Sequence, residues 1–236
     1  MLADPLNVKK PDWLDQEDVN IFYEAVKGFI EKECLPHGER WEKEGQVDRE
    51  VWNKAGEAGL LCPAAPEEYG GAGGDWRHDY AFHMAVSEMG VDGWGASLHN
   101  SIVAPYVWHY GSEEQKKRLL PKLISGEYVG AIAMSEPAAG SDLQGIKTTA
   151  KKDGNGYRIN GSKTFITNGG TANFIIVVTK TDPSAGAKGT SLFMVETDGL
   201  EGFRRGRLLD KVGLKGQDTA ELFFDDMWVP ADALLG

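Results

Sequence analysis

Residues 132–144, IAMSEPAAGSDLQ, gather more small, hydroxylated and backbone-exposing positions than a loop needs to turn a chain. An apolar run breaks at Ser135-Glu136-Pro137, passes through Ala138 and Ala139, and reaches Gly140-Ser141-Asp142. Hydroxyls and unscreened N–H groups in such a loop can approach a flat polar ligand closely, and Gly140 removes a side chain where contact would otherwise be blocked. A strand-to-strand turn with Asp142 as a local Asx cap accounts for the same residues without any ligand. Glu136 is the tempting acid–base group, but its expected work before Pro137 is to accept backbone N–H bonds.

The other reactive residue types carry less. His78 and His83, near Asp75 and Asp79, stand five apart, a spacing that does not share a helix face as an i, i+4 pair of metal ligands does. A solvated helix surface is expected there, and no metal site is assigned. His99-Asn100-Ser101 is no catalytic triad, because a triad is assembled in space from separate segments. Cys34 and Cys62 make no CxxC and are too few for a disulfide framework, so both are expected as buried small hydrophobes. The Lys116-Lys117-Arg118 run reads as an exposed helix face. PEEYGGAGGD, residues 66–75, has no following Gly-Lys-Ser/Thr and no GxGxxG after a strand, and reads as a flexible connector.

The elements that must position these residues change character along the chain. Up to about residue 127 the pattern is helical. Val19, Phe22, Tyr23, Val26, Phe29 and Ile30 repeat every 3.6 residues, with Pro36 expected to end that helix. Asp48 is placed to cap a second helix that carries Val51, Trp52 and Ala55 and closes at Gly59. Two more run from Trp76 to Gly90 and from Trp94 to Gly111, and a capping box, Ser112 to Gln115, opens a last one that stops at Gly126. From residue 129 the period becomes two. YVGAIAM, NFIIVVTK, TSLFMVE and AELFFDDMWV read as strands, with a hairpin at Asp153-Gly154-Asn155-Gly156 and a further turn at Asn160-Gly161. The expectation is a multidomain α+β chain. An all-α helical domain, residues 1–128, precedes an antiparallel β-barrel or sandwich domain, residues 129–236.

Composition excludes some partners. A formal net charge of −11 over 236 residues argues against nucleic acid and anionic membrane surfaces, which select clustered Lys and Arg. No apolar run approaches the roughly 18 residues that span a bilayer, and MLADPLNVKKPDW has neither secretory nor transit-peptide character. A reducing, soluble compartment fits. The seven tryptophans are expected in core or interface packing. The chain stops at VPADALLG, directly after a strand, and reads as a fragment of a longer protein.

YGSEEQKKRLLPKLISGEYVGAIAMSEPAAGSD followed by GYRINGSKTFITNGGTANF closely resembles the acyl-CoA dehydrogenase family. The family pattern runs Tyr-Gly, Glu-Gln-Lys, Leu-Pro, Gly-Glu, then Met-Thr/Ser-Glu-Pro-x-Ala-Gly-Ser-Asp and Lys-x-Trp/Phe-Ile-Thr-Asn-Gly. The resemblance covers essentially the whole chain and ends where the family's third domain, a C-terminal helical bundle, would follow. It implies FAD as cofactor, with Ile132, Ala133, Met134, Ser135, Gly140 and Ser141 in the flavin-binding loop. Ser135 stands where most members have Thr, near the reactive edge of the flavin. Phe165, Ile166 and Thr167 match the second flavin motif, with Phe165 in place of the commoner Trp. Ser141 matches a backbone contact to the pantetheine of acyl-CoA, and Ala187 and Lys188 fall in the loop that approaches the CoA moiety.

The resemblance implies α,β-dehydrogenation of acyl-CoA thioesters to trans-2-enoyl-CoA, as in fatty-acid β-oxidation, and the closing segment looks most like long-chain members. The family's base is a Glu of the third domain, so no catalytic residue is assigned here. The adenine end of FAD meets a neighbouring subunit through that domain, so this chain is expected to hold FAD weakly or not at all. Electron-transfer flavoprotein as acceptor, homo-oligomerisation at full length and a bacterial cytoplasm or mitochondrial matrix complete the expectation. An acyl-CoA oxidase, which passes electrons to O₂, and a non-catalytic binding or assembly module are the alternatives.

Overall fold

The computed structural model describes residues 10–91 and 93–236. Helix α1 (Glu17–Phe29) buries Val19, Tyr23 and Val26, and Ile30 beyond its end is buried too, while Phe22 and Phe29 are half-buried at the stripe's margin. Pro36 does not end the helical run. The chain passes through a π-turn at Ile30–Cys34 and a tight turn at Leu35–His37 into α2 (Gly38–Glu44), and stops only at Gly45, φ 72°. Pro36 sits near the start of the tight turn, where a missing N–H costs nothing.

Helix α3 (Arg49–Glu57) follows Asp48, whose carboxylate pairs with Arg40 at 3.0 Å instead of capping the helix. Helix α4 (Trp76–Glu88) carries a capping box, with Asp75 accepting from the Arg77 N–H at 2.9 Å and the Asp75 N–H donating to His78 Nδ1 at 3.2 Å. A single winding comprises α5 (Ala96–Leu98), a π-turn at His99–Val103 and α6 (Ala104–Tyr110). Helix α7 (Glu113–Ile124) opens with the expected box, Ser112 N–H to Gln115 Oε1 at 2.8 Å and Gln115 N–H to Ser112 Oγ at 3.3 Å. The glycine-rich stretch before α4 is no flexible connector. Gly71, Gly73 and Gly74 donate back to Pro66, Ala65 and Pro63 at 3.1, 3.1 and 3.0 Å, and a Cβ on Gly71 would collide with the Ala65 carbonyl.

The second half is one seven-stranded sheet: β1 (Gly130–Ala133), β2 (Thr149–Asp153), β3 (Gly156–Thr167), β4 (Phe174–Lys180), β5 (Thr190–Glu196), β6 (Phe203–Leu208) and β7 (Thr219–Pro230). Its order is β1-β4-β2-β3-β7-β6, with β5 on β4. The sheet is mixed rather than purely antiparallel. β1 and β4 run parallel from Gly130↔Phe174 to Ala133↔Val177, and the β2–β3 hairpin lies in the crossover that parallel strands require. The hairpin forms where expected, with Asp153 opposite Gly156. Asn160-Gly161 is not a turn. β3 runs straight through it, opposite a bulge in β7 at Asp225-Asp226, and Gly161, φ 150°, lets Thr148 pack where a Cβ would strike its hydroxyl. One core continues from the helices into the sheet, from Trp52, Phe82 and Trp94 to Ile132, Phe174 and Leu222. Among the described residues no helix is long and apolar enough to cross a membrane.

Candidate functional site

The loop after β1 is built by short-range bonds. Glu136 and Ala139 exchange N–H···O bonds of 2.9 and 3.1 Å around Pro137-Ala138, and Asp142 accepts the Gln144 N–H at 3.2 Å, the Asx cap anticipated from its sequence. Underneath, Ala139 and Ile146 pack on Val178 of β4, with Met134 and Leu192 against them. The Thr164 N–H donates to the Ser135 carbonyl at 2.9 Å, which ties the loop to β3 where that strand bulges between Lys163 and Ile166. Phe165 therefore emerges beside Ser135, at φ 59° and with 70% of its surface exposed.

The sequence-predicted residues thus separate into layers. Ile132, Ala133 and Ile166 are buried in the main core; Met134, Ser135 and Thr167 are half-buried; Gly140, Ser141 and Phe165 are exposed. A Cβ at Gly140 would meet nothing within 4 Å, so its backbone faces open space. Ala187 and Lys188 lie apart in the exposed turn Pro183–Gly189. That turn is fixed from inside by the buried Lys180, whose ammonium donates to the Gly186 carbonyl at 2.5 Å and to Thr190 Oγ1 at 3.1 Å. Among the described residues no hydrogen bond joins Ala187 or Lys188 to the loop.

Three residues that sequence reasoning missed hold this arrangement. Lys163 points inward from β3 and donates to the Met134 carbonyl and to Glu136 Oε1, both at 2.9 Å. Glu136 does what its place before Pro137 suggested and accepts the Lys147 and Thr148 N–H groups at 2.6 and 2.9 Å. Burial alone would raise the Glu136 carboxyl, but the donors of Thr148, Lys147 and Lys163 take it below its ordinary value. Asn168, φ 61° and buried, gives its amide to the carbonyls of Gly95 and Gly130 at 3.1 and 3.0 Å. Asp218 closes the turn after it, accepting from the N–H groups of Gly170 and Thr171 at 2.6 and 3.1 Å and from the Thr171 hydroxyl at 3.1 Å. Burial raises this carboxyl above its usual range. A lysine at an inward strand register was the available signal for Lys163; Asn168 and Asp218 left none outside the family motif.

The helical half meets the site through the π-turn. Its extra residue sends three successive polar side chains to three neighbours. His99 Nδ1 accepts the Gly130 N–H at 3.0 Å and its Nε2 faces the Leu123 carbonyl at 3.0 Å, the pattern of a neutral ring. Burial holds it neutral, lowering its pKa to about 4. Asn100 accepts the Cys62 N–H at 2.8 Å, and Ser101 bonds His83 at 2.9 Å. His83 is exposed, as expected of a solvated helix surface, while His78 is half-buried and engaged with the Asp75 N–H. Cys34 and Cys62 are both buried, and burial pushes the Cys34 thiol up to about 12.

The Thr164–Ser135 bond joins an exposed aromatic face to a hydroxyl-bearing loop that also carries an open glycine. That arrangement suits a flat, polar, aromatic ligand, and the residues fit the isoalloxazine ring of FAD.

Residues 16–127 match the family model described as acyl-CoA dehydrogenase, N-terminal domain, and residues 131–227 that of the middle domain. The mitochondrial long-chain specific acyl-CoA dehydrogenase of Sus scrofa is 51% identical over 219 residues, which cover 92% of this chain and 51% of that protein. The acyl-CoA dehydrogenase of Geobacillus kaustophilus superposes with a TM-score of 0.90 at 51% identity, over 94% of this chain and 58% of that one. A glutaryl-CoA dehydrogenase from Mycobacterium smegmatis in complex with FADH2 gives 0.83 at 30% identity, over 95% and 57%. The chain spans about half the length of the curated relatives it matches.

Proposed function

The chain belongs to the acyl-CoA dehydrogenase family, and from that premise we propose that it supplies the flavin-facing wall of an FAD-dependent α,β-dehydrogenase of acyl-CoA thioesters. The observation that carries the reading is the Thr164 N–H to Ser135 O bond, which sets the exposed Phe165 face beside the loop. FAD supplies a two-electron acceptor for the hydrogen that leaves the β-carbon of the substrate. Every other task belongs to side chains and backbone.

Phe165 offers a stacking face, Ser135 a hydroxyl at the ring's edge, and the backbone from Gly140 to Ser141 a close approach for polar groups. Ile132, Ala133 and Ile166, buried in the core, anchor the strands from which the loop and Phe165 emerge. Ser141, Ala187 and Lys188 are assigned to the pantetheine and CoA end of the substrate. No residue of this chain is assigned the proton abstraction. A long-chain substrate, electron-transfer flavoprotein as acceptor, homo-oligomeric assembly, and a bacterial cytoplasm or mitochondrial matrix follow from the family reading.

The test is to titrate FAD into the chain and then add a long-chain acyl-CoA without oxygen. Weak, saturable quenching of flavin fluorescence is expected, lost in Phe165→Ser, with a visible band that acyl-CoA does not bleach. No uptake of FAD at any concentration sinks the assignment of the loop; bleaching would place the base inside this chain.

A further inference from the structure

Lys163 is out of place in an apolar sheet. Its side chain is wholly buried and its partner Glu136 is 6% exposed. Together they reach both ends of one loop. The ammonium binds the Met134 carbonyl where the loop leaves β1, and the carboxylate binds the N–H groups of Lys147 and Thr148 where the loop returns. Gly161 makes room for this, since only a residue without Cβ allows Thr148 to close in beneath β3. Between the two ends, residues 137–145 are exposed apart from Ala139 and carry Gly140 and Ser141, a segment with little packing of its own to choose a shape.

A buried ion pair is a poor way to gain stability. Apolar residues of similar volume hold a sheet as well or better, and what a charged pair adds is a fixed arrangement of the groups bound to it. Here those groups are the two hinges of the loop that faces Phe165. We propose that Lys163 and Glu136 are positioning residues that lock the 134–148 loop into its ligand-receiving shape before any flavin arrives, an inference that rests on the flavin reading above.

The double variant Lys163→Met/Glu136→Gln removes both charges and keeps the volumes. It is expected to melt at or above the wild-type temperature. Hydrogen exchange on the cofactor-free chain is expected to speed up tenfold or more at the amides of Glu136, Ala139, Lys147 and Thr148, with those of β4 and β7 unchanged. Exchange that rises together across the sheet, exchange that does not change, or a variant that fails to fold would each overturn the proposal, because each makes the pair general structure. The variant Lys163→Arg, which keeps the charge, is expected to restore slow exchange in the loop; loss of protection there also counts against it. Titrating FAD into wild type and double variant separates this inference from the reading beneath it. A tenfold weaker affinity in the variant is expected, and equal affinities overturn the positioning role. A wild-type chain that takes up no FAD, beside a locally loosened loop in the variant, removes the flavin reading and leaves the lock standing.

Discussion

Phe165 pays for its exposure twice. It holds a left-handed backbone conformation that a bulky residue rarely adopts, and it leaves most of an aromatic ring in water. Neither feature helps the fold, so both point to what the ring is for. Phe165→Gly is expected to keep or raise stability by up to about 1 kcal/mol, since glycine takes positive φ freely and little buried area is lost. Flavin quenching should disappear in the same variant. Urea unfolding alongside a flavin titration checks both, and a variant that loses stability and binding together would assign Phe165 to the core. The motif around this residue was legible in the sequence, because Phe165-Ile166-Thr167 and Ser135 lie in ordered family patterns. The strain was not legible, since the bulge that imposes φ 59° depends on β7 pairing with β3 on either side of it.

At the scale of elements, periodicity located the helices, and what it missed was of two kinds: pairings and insertions that leave the local pattern intact, and a strand that lacks the pattern. A π-turn adds a residue without disturbing the apolar repeat, so the continuation through Pro36 and the winding at His99–Val103 were invisible. The basic strand β6, FRRGRL, lacks apolar alternation, and its Arg204 and Arg205 lie over the rings of Phe223 and Phe203. The parallel β1–β4 pair is set by long-range contacts. The π-turn has a measurable consequence at His99. Its ring is neutral when folded, with a pKa lowered from 6.5 to about 4. Because the folded value is the lower one, the neutral ring's contribution is whole above about pH 6.5 and fades as pH falls towards 4. The loss amounts to at most about 1.4 kcal/mol per pH unit in that window. His99→Gln, which takes up no proton, is expected to cost about 2–4 kcal/mol at pH 7 through the strained pairing left at Gly130 and Leu123. The gap between it and wild type should shrink by pH 4.5. Denaturant melts at the two pH values decide it, and a constant gap would mean that His99 does not titrate in this window.

At the scale of the molecule, the two halves are sequence domains but share one core, and at the site the Asn168 amide joins them beside the His99–Gly130 bond. Asn168, on the turn after β3, bonds Gly95 of the helical half and Gly130 of β1 at once, while its own N–H bonds the Asp218 carbonyl at 3.0 Å. Gly95 has no room for a Cβ because the Asn168 side chain fills it. The halves should therefore unfold together only while this clamp is closed. Asn168→Gly keeps the positive φ and removes the clamp, which isolates the amide from the backbone strain. Tryptophan reports the halves unequally, six of the seven lying before residue 129 and only Trp228 in the sheet. In wild type, tryptophan fluorescence and the circular dichroism of the strands should give one coincident transition. In Asn168→Gly the two are expected to separate, with a total loss of about 2–4 kcal/mol from the carbonyls left without partners. If the variant still unfolds in one transition, the shared apolar core couples the halves without help, and Asn168 serves only the turn that follows Phe165.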